Sequence, residues 1–296
     1  MGEPVLRVYE AGRSSVTSLV LSAFLVALSL GDAAAQASDA IPFLGAPDFG
    51  WQTNIADWQD PPPGYGHGPI PPDPEHPYTS NYQAGLTGTQ PTPRIGDTRD
   101  PILKPWAAAQ MLATNEVVLA DVRRTPFTSQ SRCYPGGVPG QLLFPFEPLY
   151  FFQTENEVWM IWQRDHQIRR VSMNVKHSDD LIPSWTGESV GHYEAGNTLV
   201  IDTIGLSTEI SYIDNFRTPH SEKLHVVERF TIDPDGQGLT AIVTVEDPDT
   251  FNAPLTMLQH WFKQPRALTE TICAENDRMF PGQELFPIPV DETPDF

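Results

Sequence analysis

A chain of 296 residues with a formal net charge of −20 presents a surface that repels phosphate backbones and anionic lipid. Nucleic acid is therefore set aside as a partner. Two cysteines cannot build a structural zinc site unaided, and the length suits one domain with a sizeable core.

In chain order, residues 1–37 read as an export signal. Arg7 and Arg13 precede an apolar run from Val16 to Leu30, and the small residues Ala33-Ala34-Ala35-Gln36-Ala37 offer A-x-A cleavage sites. The run is shorter than the roughly 20 apolar residues of a membrane-spanning helix. No stable membrane insertion is expected once the signal is cut. Residues 38–102 form a Pro/Gly/aromatic-rich arm, densest at Asp60-Pro61-Pro62-Pro63-Gly64-Tyr65-Gly66. Proline lacks the amide hydrogen that a helix or sheet interior needs, so the arm is extended or loop-like. Its tryptophans, Trp51 and Trp58, seek burial against the main domain. Residues 103–148 hold one helix, opening at Lys104-Pro105-Trp106-Ala107-Ala108-Ala109 and running toward Val118, then a connecting loop.

Residues 149–280 change to a strand pattern. Runs rich in β-branched and aromatic residues lie at Tyr150–Thr154, Val158–Gln163, Gln167–Val175, Ser189–Glu194, Thr198–Ile204, Lys223–Ile232, Leu239–Glu246, Thr256–Phe262 and Ala267–Cys273. Little helix intervenes. This predicts an antiparallel meander closed into a lipocalin-like barrel, with a two-sheet sandwich as the alternative. Residues 281–296 are a tail. Cys133 and Cys273 are expected to pair in an oxidising compartment.

Side chains alternate across a strand, so each run splits into two faces. Glu228 falls among Leu224, Val226, Phe230 and Ile232, a carboxylate on an apolar face. It is either a general acid with a raised pKa or the partner of an arginine such as Arg169 or Arg170. Glu188, Val190, His192 and Glu194 share a face, and Asp202 shares one with Val200 and Ile204. His177 and His220 lie just outside strands, where barrel mouths collect function. Catalytic candidates are therefore Glu188, His192, Glu228, His220, His177 and Asp202. Trp185, Tyr193, Phe230 and His260 are the candidate ligand contacts, with His260 also readable as a satisfied core histidine. A metal ion is possible only with ligands from separate strands, such as His177, His192 and His220; no standard metal spacing, nucleotide loop or G-x-S-x-G elbow occurs. No organic cofactor is expected.

The motifs Pro183-Ser184-Trp185-Thr186-Gly187-Glu188-Ser189-Val190-Gly191-His192-Tyr193-Glu194 and Thr218-Pro219-His220-Ser221-Glu222-Lys223-Leu224-His225-Val226-Val227-Glu228-Arg229 resemble those of a family of uncharacterised exported bacterial proteins. Leu103-Lys104-Pro105-Trp106, Arg132-Cys133-Tyr134-Pro135-Gly136-Gly137, Glu246-Asp247-Pro248 and Cys273-Ala274-Glu275-Asn276 extend the likeness. The family pattern has Glu-Gly-Asp-Thr where this chain has Glu194-Ala195-Gly196-Asn197-Thr198, and tryptophan where Leu255 stands. The resemblance implies export in a Gram-negative bacterium, to the periplasm or the medium, and supports the disulfide and the location of the site.

Together these features lead to the expectation of a periplasmic enzyme holding a small, partly apolar organic molecule in a barrel cavity. It would act by cofactor-free acid/base chemistry, as an isomerase, lyase, cyclase or hydrolase. A non-catalytic carrier or sensor of a small ligand is the alternative, and an extracellular interaction or matrix protein using the arm is the next. Oligomeric state is open.

Overall fold

A computed structural model describes residues 41–77, 94–120, 124–125, 128–129, 133–194, 197–209, 211–273 and 284–285. The expected signal segment and most of the tail lie outside these residues. In chain order the elements are β1 (Gly50–Gln52), α1 (Pro105–Ala120), β2 (Arg124–Thr125), β3 (Leu149–Gln153), β4 (Glu157–Trp162), β5 (Ile168–Met173), β6 (Glu188–Glu194), β7 (Thr198–Ile204), β8 (His225–Ile232), β9 (Gly238–Glu246), β10 (Leu255–Gln264) and β11 (Glu284–Leu285). Among the described residues no helix is long and apolar enough to cross a membrane.

Nine strands close into a barrel in the order β1-β10-β9-β8-β7-β6-β5-β4-β3, with β1 pairing back to β3 through Trp51 and Leu149. The barrel expectation holds, with two departures. First, β5 and β6 run parallel, Val171 opposite Ser189 and Met173 opposite Gly191, whereas the other barrel pairs are antiparallel. The segment Asn174–Gly187 returns the chain between them, since parallel neighbours cannot be joined by a tight hairpin. Its two ends sit in the left-handed region, Asn174 at φ 59° and Gly187 at φ 61°. A Cβ on Gly187 would lie 2.4 Å from the Ile204 carbonyl oxygen, so only glycine fits there. Second, Ala267–Cys273 does not form a strand. Pro265, which cannot donate to a ladder, follows β10 directly, and the free edge of β10 pairs instead with β1 from the arm.

The interior is packed with side chains at alternate positions. Val158, Met160 and Trp162 of β4, Leu199 and Ile201 of β7, Val226 and Phe230 of β8 and Leu239, Ala241 and Val243 of β9 are buried in one hydrophobic cluster. Phe230 meets Phe151 edge-on at 5.7 Å and stands 6.1 Å from Trp261. Full burial of each such side chain contributes about 1.5–3 kcal/mol. Leu44, Phe49 and Trp51 from the arm join this cluster, and the Trp51 indole donates to the Leu44 carbonyl at 2.6 Å. Farther along, the arm lies on β10, with Gln59 bridged to Leu258 and His67 to Leu255. The Trp58 indole donates to the Ile213 carbonyl at 2.8 Å. Cys133 and Cys273 form a disulfide with Cα atoms 5.4 Å apart.

Candidate functional site

Alternation decides where each ionisable side chain goes, and it divides the sequence candidates into separate places. On β6 the inward residues are Ser189, Gly191 and Tyr193. A Cβ on Gly191 would meet Val171 Cγ1 and the Val200 carbonyl oxygen, both at 2.9 Å, so no larger residue fits that inner position. Glu188, His192 and Glu194 consequently face outward. On β7, Leu199, Ile201 and Thr203 are inward and Asp202 is outward. Of the carboxylates expected in the interior, only Glu228 is there.

Glu228 is sealed. Its carboxylate accepts from both Arg169 guanidinium nitrogens, Nη1 at 2.9 Å and Nη2, and neither side chain retains solvent exposure. Arg169 also donates to Ser189 Oγ at 2.9 Å and Thr203 Oγ1 at 2.6 Å. The arginine-partner alternative therefore describes Glu228, and its role is that of a satisfied buried ion pair. Phe230 is part of the core around it. Tyr193 faces inward at the barrel end and its hydroxyl accepts from Gln153 Nε2 at 2.8 Å. His192 stands exposed at the far end of β6, about 13 Å along the strand from Glu188, with Glu194 3.7 Å away. His260 lies on the outer face of β10 and contacts Asp233 at 3.2 Å. Trp185 packs on Tyr134 at 5.8 Å, outside the barrel. His220 is buried; its Nδ1 contacts the Ser221 carbonyl at 3.0 Å, its Nε2 has no hydrogen-bond partner among the described residues, and burial lowers its pKa.

Three of the candidates do converge, on the outer face. The strap Asn174–Gly187 brings His177 over β6 and β7, where Nδ1 meets Glu188 Oε1 at 2.9 Å and Nε2 meets Asp202 Oδ1 at 3.0 Å. His225 of β8 reaches the same Asp202 oxygen through Nε2 at 3.0 Å, and its Nδ1 stands 3.6 Å from Glu246 Oε2. Ser178 clamps the other end: its amide donates to Glu188 Oε1 at 2.7 Å and its hydroxyl to Oε2 at 2.6 Å. The result is a continuous chain, Ser178–Glu188–His177–Asp202–His225–Glu246.

The electrostatics follow from these bonds. The Ser178 hydroxyl and amide hold the Glu188 carboxyl below its ordinary range. The hydrogen bond from His225 lowers Asp202, with that from His177 adding to it. In return Asp202 raises the pKa of His225. Raising the pKa of an imidazole beside an oriented carboxylate makes its free form a better base. The side chains of His225, Asp202 and Glu188 keep roughly a third of their surface in solvent, so an outside molecule can touch them. Among the described residues no group of three or more His, Cys, Asp or Glu side chains is arranged to hold a metal ion.

His225 and Glu246 were not among the sequence candidates. Both lie on outer positions, and β8 pairs with β9 so that they stand opposite each other. The alternation that places His225 and Asp202 outward on neighbouring strands is a signal present in the sequence once β7 and β8 are paired.

A second polar site lies apart from this chain. Thr128, Ser129, Gly136, Gly140, Phe144, Tyr212, Asp214 and Asn215 line a small recess that is partly open to solvent. Burial raises the pKa of Asp214, whose oxygens are already engaged by the Thr218 hydroxyl and amide and the Phe216 amide.

No protein-family model, curated protein or solved structure matches this chain.

Proposed function

We propose that the protein is an enzyme exported to the periplasm or medium of a Gram-negative bacterium, performing cofactor-free acid/base chemistry on a small, partly apolar organic molecule. The observation that carries this reading is the sharing of Asp202 Oδ1 by His177 and His225. In the proposed mechanism His225 takes a proton from the substrate at Nδ1, the nitrogen turned away from Asp202, and returns it at a second position or to a leaving group. Asp202 fixes the ring and stabilises the imidazolium that forms. His177, Glu188 and Ser178 hold Asp202 in place. Isomerisation, elimination, cyclisation and hydrolysis all use such a base.

This reading moves the reaction from the barrel interior to its outer face. The carrier reading draws less support, because buried side chains occupy the interior positions of the barrel. Export is supported by the charged, apolar and small pattern of residues 1–37 and by the disulfide.

The test is turnover of a panel of enolisable ketones, lactones and esters followed by mass spectrometry. His225→Gln and Asp202→Asn are expected to lose about 10²-fold or more in rate while melting normally. Undiminished turnover in both would overturn the assignment.

A further inference from the structure

The strap that carries His177 and Ser178 also carries three exposed apolar side chains. Val175 is 55% exposed, Leu181 38% and Ile182 86%. They lie on the same segment as His177 and Ser178. Leu181 packs beside Gly205, its Cδ2 3.6 Å from where a Cβ would stand. Gly205 follows Ile204, the residue opposite Glu188 across β6 and β7. The strap is also held there by backbone bonds: Ser184 donates to the Gly205 carbonyl at 3.1 Å and Ser207 donates to Ser184 at 2.9 Å. Leu181 is thus held at the Glu188 end of the histidine–carboxylate chain.

The charges around this chain have one predominant sign. Glu188, Asp202 and Glu246 belong to the chain, Asp179 and Asp180 lie exposed on the strap, and the whole protein carries −20. Lys176 is the strap's one lysine or arginine. An anion approaching this surface is repelled, whereas an uncharged or cationic polar end is not. Apolar contact on one side and carboxylates on the other describe the two ends of an amphiphile.

We propose that the strap Asn174–Gly187 is the substrate-recognition element and that the substrate is an apolar small molecule without negative charge. Val175, Leu181 and Ile182 hold its apolar part, and its polar end meets His225. This rests on the acid/base reading of the same site, which it deepens by naming the class of molecule.

The test uses decyltrimethylammonium, decan-1-ol and decanoate as probes, each below its micelle-forming concentration and solubility limit, with amide and imidazole NMR signals as the readout. The first two are expected to shift the amides of Val175, Leu181 and Ile182 and the ring of His225, and decanoate to bind at least about tenfold more weakly. Ile182→Ser combined with Leu181→Ser is expected to weaken binding of the first two about tenfold or more, with the histidine titrations unmoved. Equal binding of decanoate, shifts centred elsewhere on the molecule, or no response to the double substitution overturns the recognition element. Turnover lost in His225→Gln with probe binding indifferent to the strap would remove this inference and leave the acid/base reading standing. Strap-dependent probe binding with undiminished turnover in His225→Gln and Asp202→Asn would remove that reading and leave a binding surface.

Discussion

Arg169 on β5 and Glu228 on β8 meet inside the barrel through two hydrogen bonds, with no solvent at either side chain. Serine and threonine hydroxyls from β6 and β7 complete the guanidinium's partners. Removing one member leaves an uncompensated charge in the core. Arg169→Met alone is expected to lower unfolding stability by about 3–5 kcal/mol. Replacing both, Arg169→Met with Glu228→Leu, recovers most of that loss. Urea unfolding of the three proteins measures it, and a double variant as unstable as the single one would contradict the account.

The pair His225 and Asp202 gives a pH signature with a definite sign. The His225 pKa is raised from 6.5, so its contribution to stability is complete below that value and fades as pH climbs through the folded-state pKa. Asp202 is lowered from 3.8, so its contribution is present above that value and fades as pH falls through the folded-state pKa. Both coexist between pH 3.8 and 6.5. The stability difference between wild type and Asp202→Asn should be widest there and narrow on both sides, and small throughout because both groups are partly solvated. In the same variant the His225 titration should move down.

Ser178 acts through Glu188. Without its hydroxyl, Ser178→Ala should let the Glu188 carboxyl titrate closer to its ordinary value of 4.5, visible in carboxyl carbon shifts. Ser178→Thr, which keeps the donor, should restore the wild-type curve. An unmoved Glu188 curve would show that the clamp is not what holds the carboxylate ionised.

The disulfide joins residues separated by 140 positions. A cross-link of that span restricts the unfolded chain strongly, by about 4–5 kcal/mol in the chain-entropy model. Cys133→Ser with Cys273→Ser should lower the unfolding free energy by up to that amount. A loss well under 1 kcal/mol would indicate a compact unfolded state.

The sequence made the barrel legible because strand after strand alternates with turn residues between, and closure follows from the need to hide edges. It also located Glu228 on an apolar face and offered Arg169 as a partner. It misled on β6, where period-two alternation yields two faces without saying which is inward. The face of Glu188 and His192 carries the charges, but the decisive residue is Gly191, whose missing side chain lets β5 and β7 approach. The parallel pairing of β5 with β6 left no local signature, since it depends on how Asn174–Gly187 crosses rather than on its composition. Trp51 was recognised as seeking burial, yet a strand of three residues amid prolines has too short a pattern to read. His225 was passed over because its role arises only when β7 and β8 stand side by side.

The position of β1 in the ladder carries a temporal consequence. Gly50–Gln52 is made before every other barrel strand, yet its longer pairing is with Phe262–Gln264, in the last of them. The ring cannot shut until synthesis has passed Gln264. Until then the edge of β9 that β10 will cover stays open, and any helper that keeps nascent chains apart would find its binding site on that border.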